Sequence, residues 1–164
     1  MQQQKQQLHD NYDLKNKWGI WEIYKNRDKS KSYEQNNCLI TEFQDLKKFS
    51  IIWNNTDLSN PTKHFTDVQG QIQLVEINKE LKQIEGYAIF KDGISPTWED
   101  KSNQEGGDFF ILKKIQNPDE TQQFNIFWQE FTYHMIAQEE ILLQYLNMEI
   151  TQLEVKSHST KKNY

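Results

Sequence analysis

The sequence predicts an α+β domain in which a curved, mostly antiparallel sheet carries helices on one face. Three observations predict it. Short runs rich in aromatic and branched residues recur along the chain and read as strands. Two longer stretches place apolar residues at helical spacing and read as amphipathic helices, each of which needs an apolar wall that the strands supply. The length of 164 residues fits one domain, which at this size buries roughly 70% of the surface its unfolded chain exposes.

The elements follow in order. Residues 1–11 are polar and Gln-rich, without apolar periodicity, and read as a disordered tail ahead of a single domain over 12–164. Trp18 to Tyr24 (WGIWEIY) reads as a first strand, the charged KNRDKSKS of 25–32 as a loop, and Cys38 to Phe43 as a second strand. Asp45 is placed to cap a helix carrying Leu46, Phe49, Ile52 and Trp53, which ends near Asn54 and Asn55. Residues 56–86, with SNP, QGQ and the polar, helix-like VEINKELKQI, read as an excursion rather than core. Tyr87 to Phe90 and Phe109 to Leu112 are short apolar strands. From Glu120 to about Leu146, Phe124, Phe127, Trp128, Phe131, Met135, Leu142 and Tyr145 mark the longest helix, with Asp119 or Thr121 as its cap. Met148, Ile150, Leu153 and Val155 alternate as a last strand before the basic end KSHSTKKNY.

Composition excludes several functions. One cysteine, Cys38, gives no disulfide framework or cysteine zinc site. Four scattered histidines show no metal-ligand spacing, so neither metal nor cofactor is expected. The apolar runs are too short to span a membrane, and no signal-peptide core follows the first residues. A cytoplasmic or nuclear protein is therefore the expectation. A net charge of −5 argues against a broad phosphate-gripping face, so any nucleic-acid role needs a small, specific site. Nothing pairs a nucleophile with a base, so no enzyme is expected.

The segment GISPTWEDKSNQEGG (93–107) sets Trp98 among Gly and Pro punctuation with Glu99 directly after it. Two readings follow from the residues alone. The indole folds back on the core, its N–H bonded to a carbonyl, or it is a stacking platform for a flat ligand with the adjacent carboxylate as acceptor. For Tyr33, a loop tyrosine without a special role is the plain reading.

YAIFKDGISPTWEDKSNQEGG (87–107) resembles the cap-loop signature of the eukaryotic translation initiation factor 4E family. LKNKWGIWEIYKNRDKSKSY (14–33), ITEFQDLKKF (40–49) and FNIFWQE (124–130) resemble the same family in the same order. The resemblance implies a curved antiparallel sheet with helices on its convex face, and non-enzymatic binding of the 7-methylguanosine cap of mRNA, in translation initiation or its repression. Methylation at N7 makes the base cationic, so an aromatic sandwich gains electrostatic attraction as well as stacking. By motif position Trp98 and Tyr33 would be the two rings and Glu99 the acceptor for the guanine N1 and N2 hydrogens. Trp18 and Trp21 match family positions but read equally well as sheet packing.

Departures from the family pattern suggest an alternative, an interaction subunit with this fold that no longer binds cap. Asp108 stands where a basic residue near the cap phosphates is usual. The chain ends before the family's final strand and helix elements, which would leave a sheet edge for a protein partner to cover. By the resemblance LEVKSHSTKKNY (153–164) would match the phosphate-binding strand and loop, making Lys156 and then Lys161 or Lys162 the candidates, whereas from the residues alone such a Lys run reads as a solvated tail. On the helical surface that in this family receives an initiation factor 4G helix, alongside Leu46, Ser50 takes the place of an exposed Trp and Gln129 that of an apolar residue. Tyr12-Asp13 replaces the usual His-Pro. Such a surface should bind a 4G-type helix weakly or not at all, because apolar anchors dominate interfaces of this kind.

Overall fold

A computed structural model describes residues 12–25, 36–65, 74–77, 79–97, 99–104 and 117–137, and the backbone of 152–156. Its centre is strand β1, Asp13–Tyr24, which pairs antiparallel with β2, Asn37–Asp45, on one side and with β5, Ile84–Lys91, on the other. Strand β6, Gln152–Lys156, pairs antiparallel with β5, giving a four-stranded sheet in the order β2-β1-β5-β6. The expected first, second and Tyr87 strands and the late strand are therefore present. Strand β1 starts earlier than its aromatic run because Asp13 pairs with Asp45 and Leu14 is buried. The expected strand Phe109–Leu112 and the Gln-rich tail lie outside the described residues.

Alternation along β1 decides which face meets the helices. Trp18, Ile20 and Tyr24 share a core with Phe43, Tyr87 and Ile89 and with the helical residues Phe49, Trp53, Trp128, Met135 and Ile136. Helix α1, Leu46–Asn55, starts at Asp45, whose carboxylate accepts from the Lys48 N–H at 2.7 Å. This cap holds one of the free N–H groups of the first turn and fixes where the strand becomes a helix. A four-residue helix α2, Lys101–Gln104, follows β5 in the chain.

The long helix α3, Pro118–Ala137, is capped by Asn117 rather than by Asp119 or Thr121. Asn117 Oδ1 accepts from the Glu120 N–H at 2.9 Å, and Pro118 fits the first helical position because its missing N–H would have had no helical partner. Residues 138–146 of the expected helix lie outside the described residues.

Two parts of the 56–86 excursion differ from expectation. Residues 57–65 form two 3-10 turns, Asp57–Ser59 and Pro61–His64, and belong to the core: Leu58, Pro61 and Phe65 are buried. The Trp128 indole donates to the Leu58 carbonyl at 2.9 Å, and Asn125 Nδ2 donates to the Thr62 hydroxyl at 3.0 Å. Within the helix-like VEINKELKQI, β3, Val75–Ile77, and β4, Glu80–Lys82, instead form a hairpin, with Lys79 at φ 67° before β4, and Ile84 already opens β5. The hairpin's physical reason is period 2: Val75 and Ile77 pack against the core while Glu76 between them is exposed.

Candidate functional site

The sheet face opposite the helices carries Gly19, Trp21 and Ile23 of β1 and Gly86, Ala88 and Phe90 of β5, as the pairing Gly19↔Phe90, Trp21↔Ala88, Ile23↔Gly86 requires. Gly19 leaves room there: a Cβ would lie 3.1 Å from Leu39 Cδ1 and 3.2 Å from Trp21 Nε1. Trp18, by contrast, is wholly buried toward the helices, so it belongs to packing. Trp21 is half-buried against the second, smaller apolar cluster on the open face.

That second cluster explains the path of the loop after β5. Ile23 and Ala88 are 0% and Phe90 1% exposed, and among the described residues Trp21 and Ile94, neither of them helical, pack against them. The chain turns at Asp92-Gly93, where Gly93 takes φ 82°, a left-handed conformation that glycine adopts without strain, and Ile94 N–H donates to the Lys91 carbonyl at 3.1 Å. From there it crosses the face to the start of β2, where Asn37 Nδ2 donates to the Pro96 carbonyl at 3.0 Å. Pro96 and Thr97 are buried.

Beyond Pro96 the loop is held by its own polar side chains. Asp100 accepts from the Ser95 N–H at 2.8 Å and the Ser102 N–H at 2.9 Å. These two backbone hydrogen bonds, Ser95 first, hold its carboxyl below the ordinary carboxylate range, because they favour the charged form. Asn103 Nδ2 donates to both the Ser95 and Thr97 carbonyls at 2.8 Å. Glu99 projects from this frame as an exposed carboxylate, and Gln104 Nε2 donates to its backbone carbonyl at 3.3 Å. At the other edge of the face, Lys17 Nζ bridges Glu42 at 2.8 Å and Asp92 at 3.3 Å.

Among the sequence-derived candidates, Tyr33, Trp98, Lys161 and Lys162 lie outside the described residues, as does Asp108. Asn37, four positions after Tyr33, and Pro96, two before Trp98, are hydrogen-bonded. Lys156 is placed by register: Asn37↔Ile23, Ile23↔Gly86 and Gly86↔Lys156 form one row across four strands. On the helical surface Leu46 and Ser50 are exposed one turn apart on α1. Gln129 of α3 is half-buried and spends its amide on the Ser59 carbonyl at 3.0 Å. Apolar patterning singles out neither Asn37 nor Asn103. The available signal was the affinity of Asn, Asp and Ser side chains for backbone groups in turns, which marks 95–103 as self-bonding. No cluster of metal-binding side chains occurs among the described residues.

Comparison with known proteins identifies this architecture. Residues 13–141 match the family model for eukaryotic initiation factor 4E. Among curated relatives, eukaryotic translation initiation factor 4E-1B of Danio rerio is 33% identical over 127 residues, 77% of this chain and 49% of that protein. Eukaryotic translation initiation factor 4E of Homo sapiens is 32% identical over 114 residues, 69% of this chain and 43% of that protein. The chain thus spans about half the length of the curated relatives it matches. Two solved structures share the fold. Ascaris suum eIF4E-3 with m7G cap has a TM-score of 0.61 at 20% identity, covering 90% of this chain and 68% of that one. C. elegans eIF4E-3 in complex with the 4E-binding protein Mextli has a TM-score of 0.61 at 22% identity, covering 88% and 68%. The matched proteins are initiation factors, not enzymes. With a family match over most of its length and this sheet-and-helix fold, the chain belongs to the eukaryotic initiation factor 4E family.

Proposed function

We propose that this protein binds the 7-methylguanosine 5′ cap of mRNA and acts in translation initiation or its repression. Trp98 and Tyr33 are the stacking rings, Glu99 accepts from guanine N1 and N2, and Lys156, with Lys161 or Lys162, meets the phosphates. The observation that carries this reading is the loop itself. It lies on the face opposite the described helices, is bonded to β2 at Pro96 and presents the exposed Glu99 from a frame built by Asp100 and Asn103. An acceptor fixed in this way discriminates by geometry, since a guanine whose donors lose their partner on binding forfeits roughly 1–3 kcal/mol. The relatives support the reading, because a member of the same fold is solved with m7G cap.

Tryptophan-fluorescence titration with 7-methyl-GTP against GTP tests it, alongside Trp98→Ala and Glu99→Ala. The expected result is a preference for the methylated ligand that both substitutions abolish. A folded wild-type chain that binds the two ligands equally would refute it and leave the interaction-subunit role as the reading. The altered helical surface, with Ser50 exposed and Gln129 engaged internally, favours a protein partner that does not use the standard 4G-type helix.

A further inference from the structure

Asn37 opens β2 in a row where the pleat turns its side chain to the face opposite the described helices, beside Ile23. Asparagine is depleted in strands because it packs poorly and competes for backbone hydrogen bonds. Here its two amide atoms have different fates. Nδ2 donates to the Pro96 carbonyl at 3.0 Å, across 59 residues of sequence. Oδ1 is buried with no hydrogen-bond partner. The orientation is dictated chemically, because a proline carbonyl only accepts and so must face the NH2 group. For folding alone this is a poor arrangement, since one good bond is offset by a buried orphan acceptor. A leucine of similar size would cover Ile23 without that cost.

We infer that Asn37 is a positioning residue: it clasps the Pro96 turn to β2, and by holding the loop down it fixes the Glu99 carboxylate and sets the affinity of the cap pocket. The second half of this inference rests on the cap-binding reading; the clasp does not. Downstream of Pro96 the Asp100 and Asn103 bonds make the loop rigid within itself, but they join loop to loop, over 95–103. Asn37 hydrogen-bonds that self-bonded unit to β2, beyond the apolar packing of Ile94 at its start. Cutting the clasp therefore leaves a preformed loop free to lift, moving Glu99 as one piece.

The experiment compares wild type, Asn37→Leu and Asn37→Asp in the full chain by three readouts. These are amide hydrogen exchange of Ser95, Asp100, Ser102 and Asn103 without ligand, thermal unfolding, and titration with 7-methyl-GTP and GTP. In Asn37→Leu the loop amides should exchange about tenfold faster and 7-methyl-GTP should bind about five- to tenfold more weakly, a factor of ten being about 1.4 kcal/mol. The unfolding temperature should stay level or rise, because the orphan acceptor is gone. A purely structural residue would lower stability and affinity together. Asn37→Asp keeps the shape but, when ionised, sets a carboxylate against the Pro96 carbonyl. Its binding, taken relative to wild type, should recover as pH falls from 7 towards about 5, because such a carboxyl protonates above its ordinary value of about 3.9 and then donates. Loop exchange and affinity both within twofold of wild type in Asn37→Leu would overturn the proposal, as would a parallel loss of stability and affinity. A wild-type chain with no preference for the methylated ligand would overturn the link to cap affinity, and the ligand-free exchange data would then decide the clasp by themselves.

Discussion

Asn37 and Lys156 occupy one row across the sheet, separated only by Ile23 and Gly86. At the usual strand spacing this puts their backbones about 14 Å apart. The row joins the start of β2, where the Pro96 turn is tied down, to the far strand that carries the candidate phosphate contact.

Lys156→Ala should weaken binding of 7-methyl-GTP about three- to tenfold, the range of a charge-assisted contact to phosphate, while 7-methylguanosine without phosphates binds as before. Raising the salt concentration should erode the difference between wild type and variant, because an exposed charge pair is screened. Parallel titrations with the two ligands check this. Equal losses for both would place Lys156 at the base rather than at the phosphates.

Standard 4G-type helical peptides should bind weakly, because Ser50 offers no apolar anchor and the Gln129 amide is committed to Ser59. Ser50→Trp should tighten such a peptide by at least about tenfold, as a restored interface hot spot is worth about 2 kcal/mol or more. Fluorescence polarisation with a labelled peptide measures it. Sub-micromolar binding by the wild-type chain would contradict the expectation.

The loop frame should respond to acid through Asp100. Its folded-state carboxyl lies below the ordinary value because the Ser95 and Ser102 N–H groups favour the charged form. Its contribution to loop order is therefore present above the unfolded value of about 3.9 and is lost as pH falls through the lower, folded value. Loop amide signals followed by NMR should be steady from pH 7 to about pH 5 and change below about pH 4. Asp100→Asn should remove that acid transition and loosen the loop at neutral pH.

Trp128→Phe removes the indole donor to the Leu58 carbonyl, leaving a buried acceptor unpaired. The expected loss is about 1–3 kcal/mol of stability, read as a lower urea midpoint with an unchanged slope. Cap binding should be retained, since this contact lies on the helical side of the sheet.

Much of the fold was legible in the sequence because the elements obey local periods. Trp18 to Tyr24 is rich in the aromatic and branched residues that strands favour, and Asp45 precedes a helical stripe that the structure builds from Leu46 to Asn55. Where two local periods competed, the reading failed: Ile77, Leu81 and Ile84 sit at helical spacing, yet Val75 and Ile77 face the core with the strand period. The cap of α3 was misplaced because Asn117, Asp119 and Thr121 all have capping side chains, and only the position of Pro118 decides among them.

By itself the sequence determined β1, β2, β5 and β6, helix α1, the described part of α3, and the motif that places Trp98 and Glu99 in one loop of a 4E-family chain. Only the tertiary structure decided that residues 57–65 are core, that the loop folds back to Asn37, and that Lys156 shares its row. The physical reason is range. A period reports which face of an element is apolar, but the partner of a lone polar group such as the Asn37 amide is fixed by strand register and loop path, here by Ile23 across the sheet and by Pro96, 59 positions along the chain.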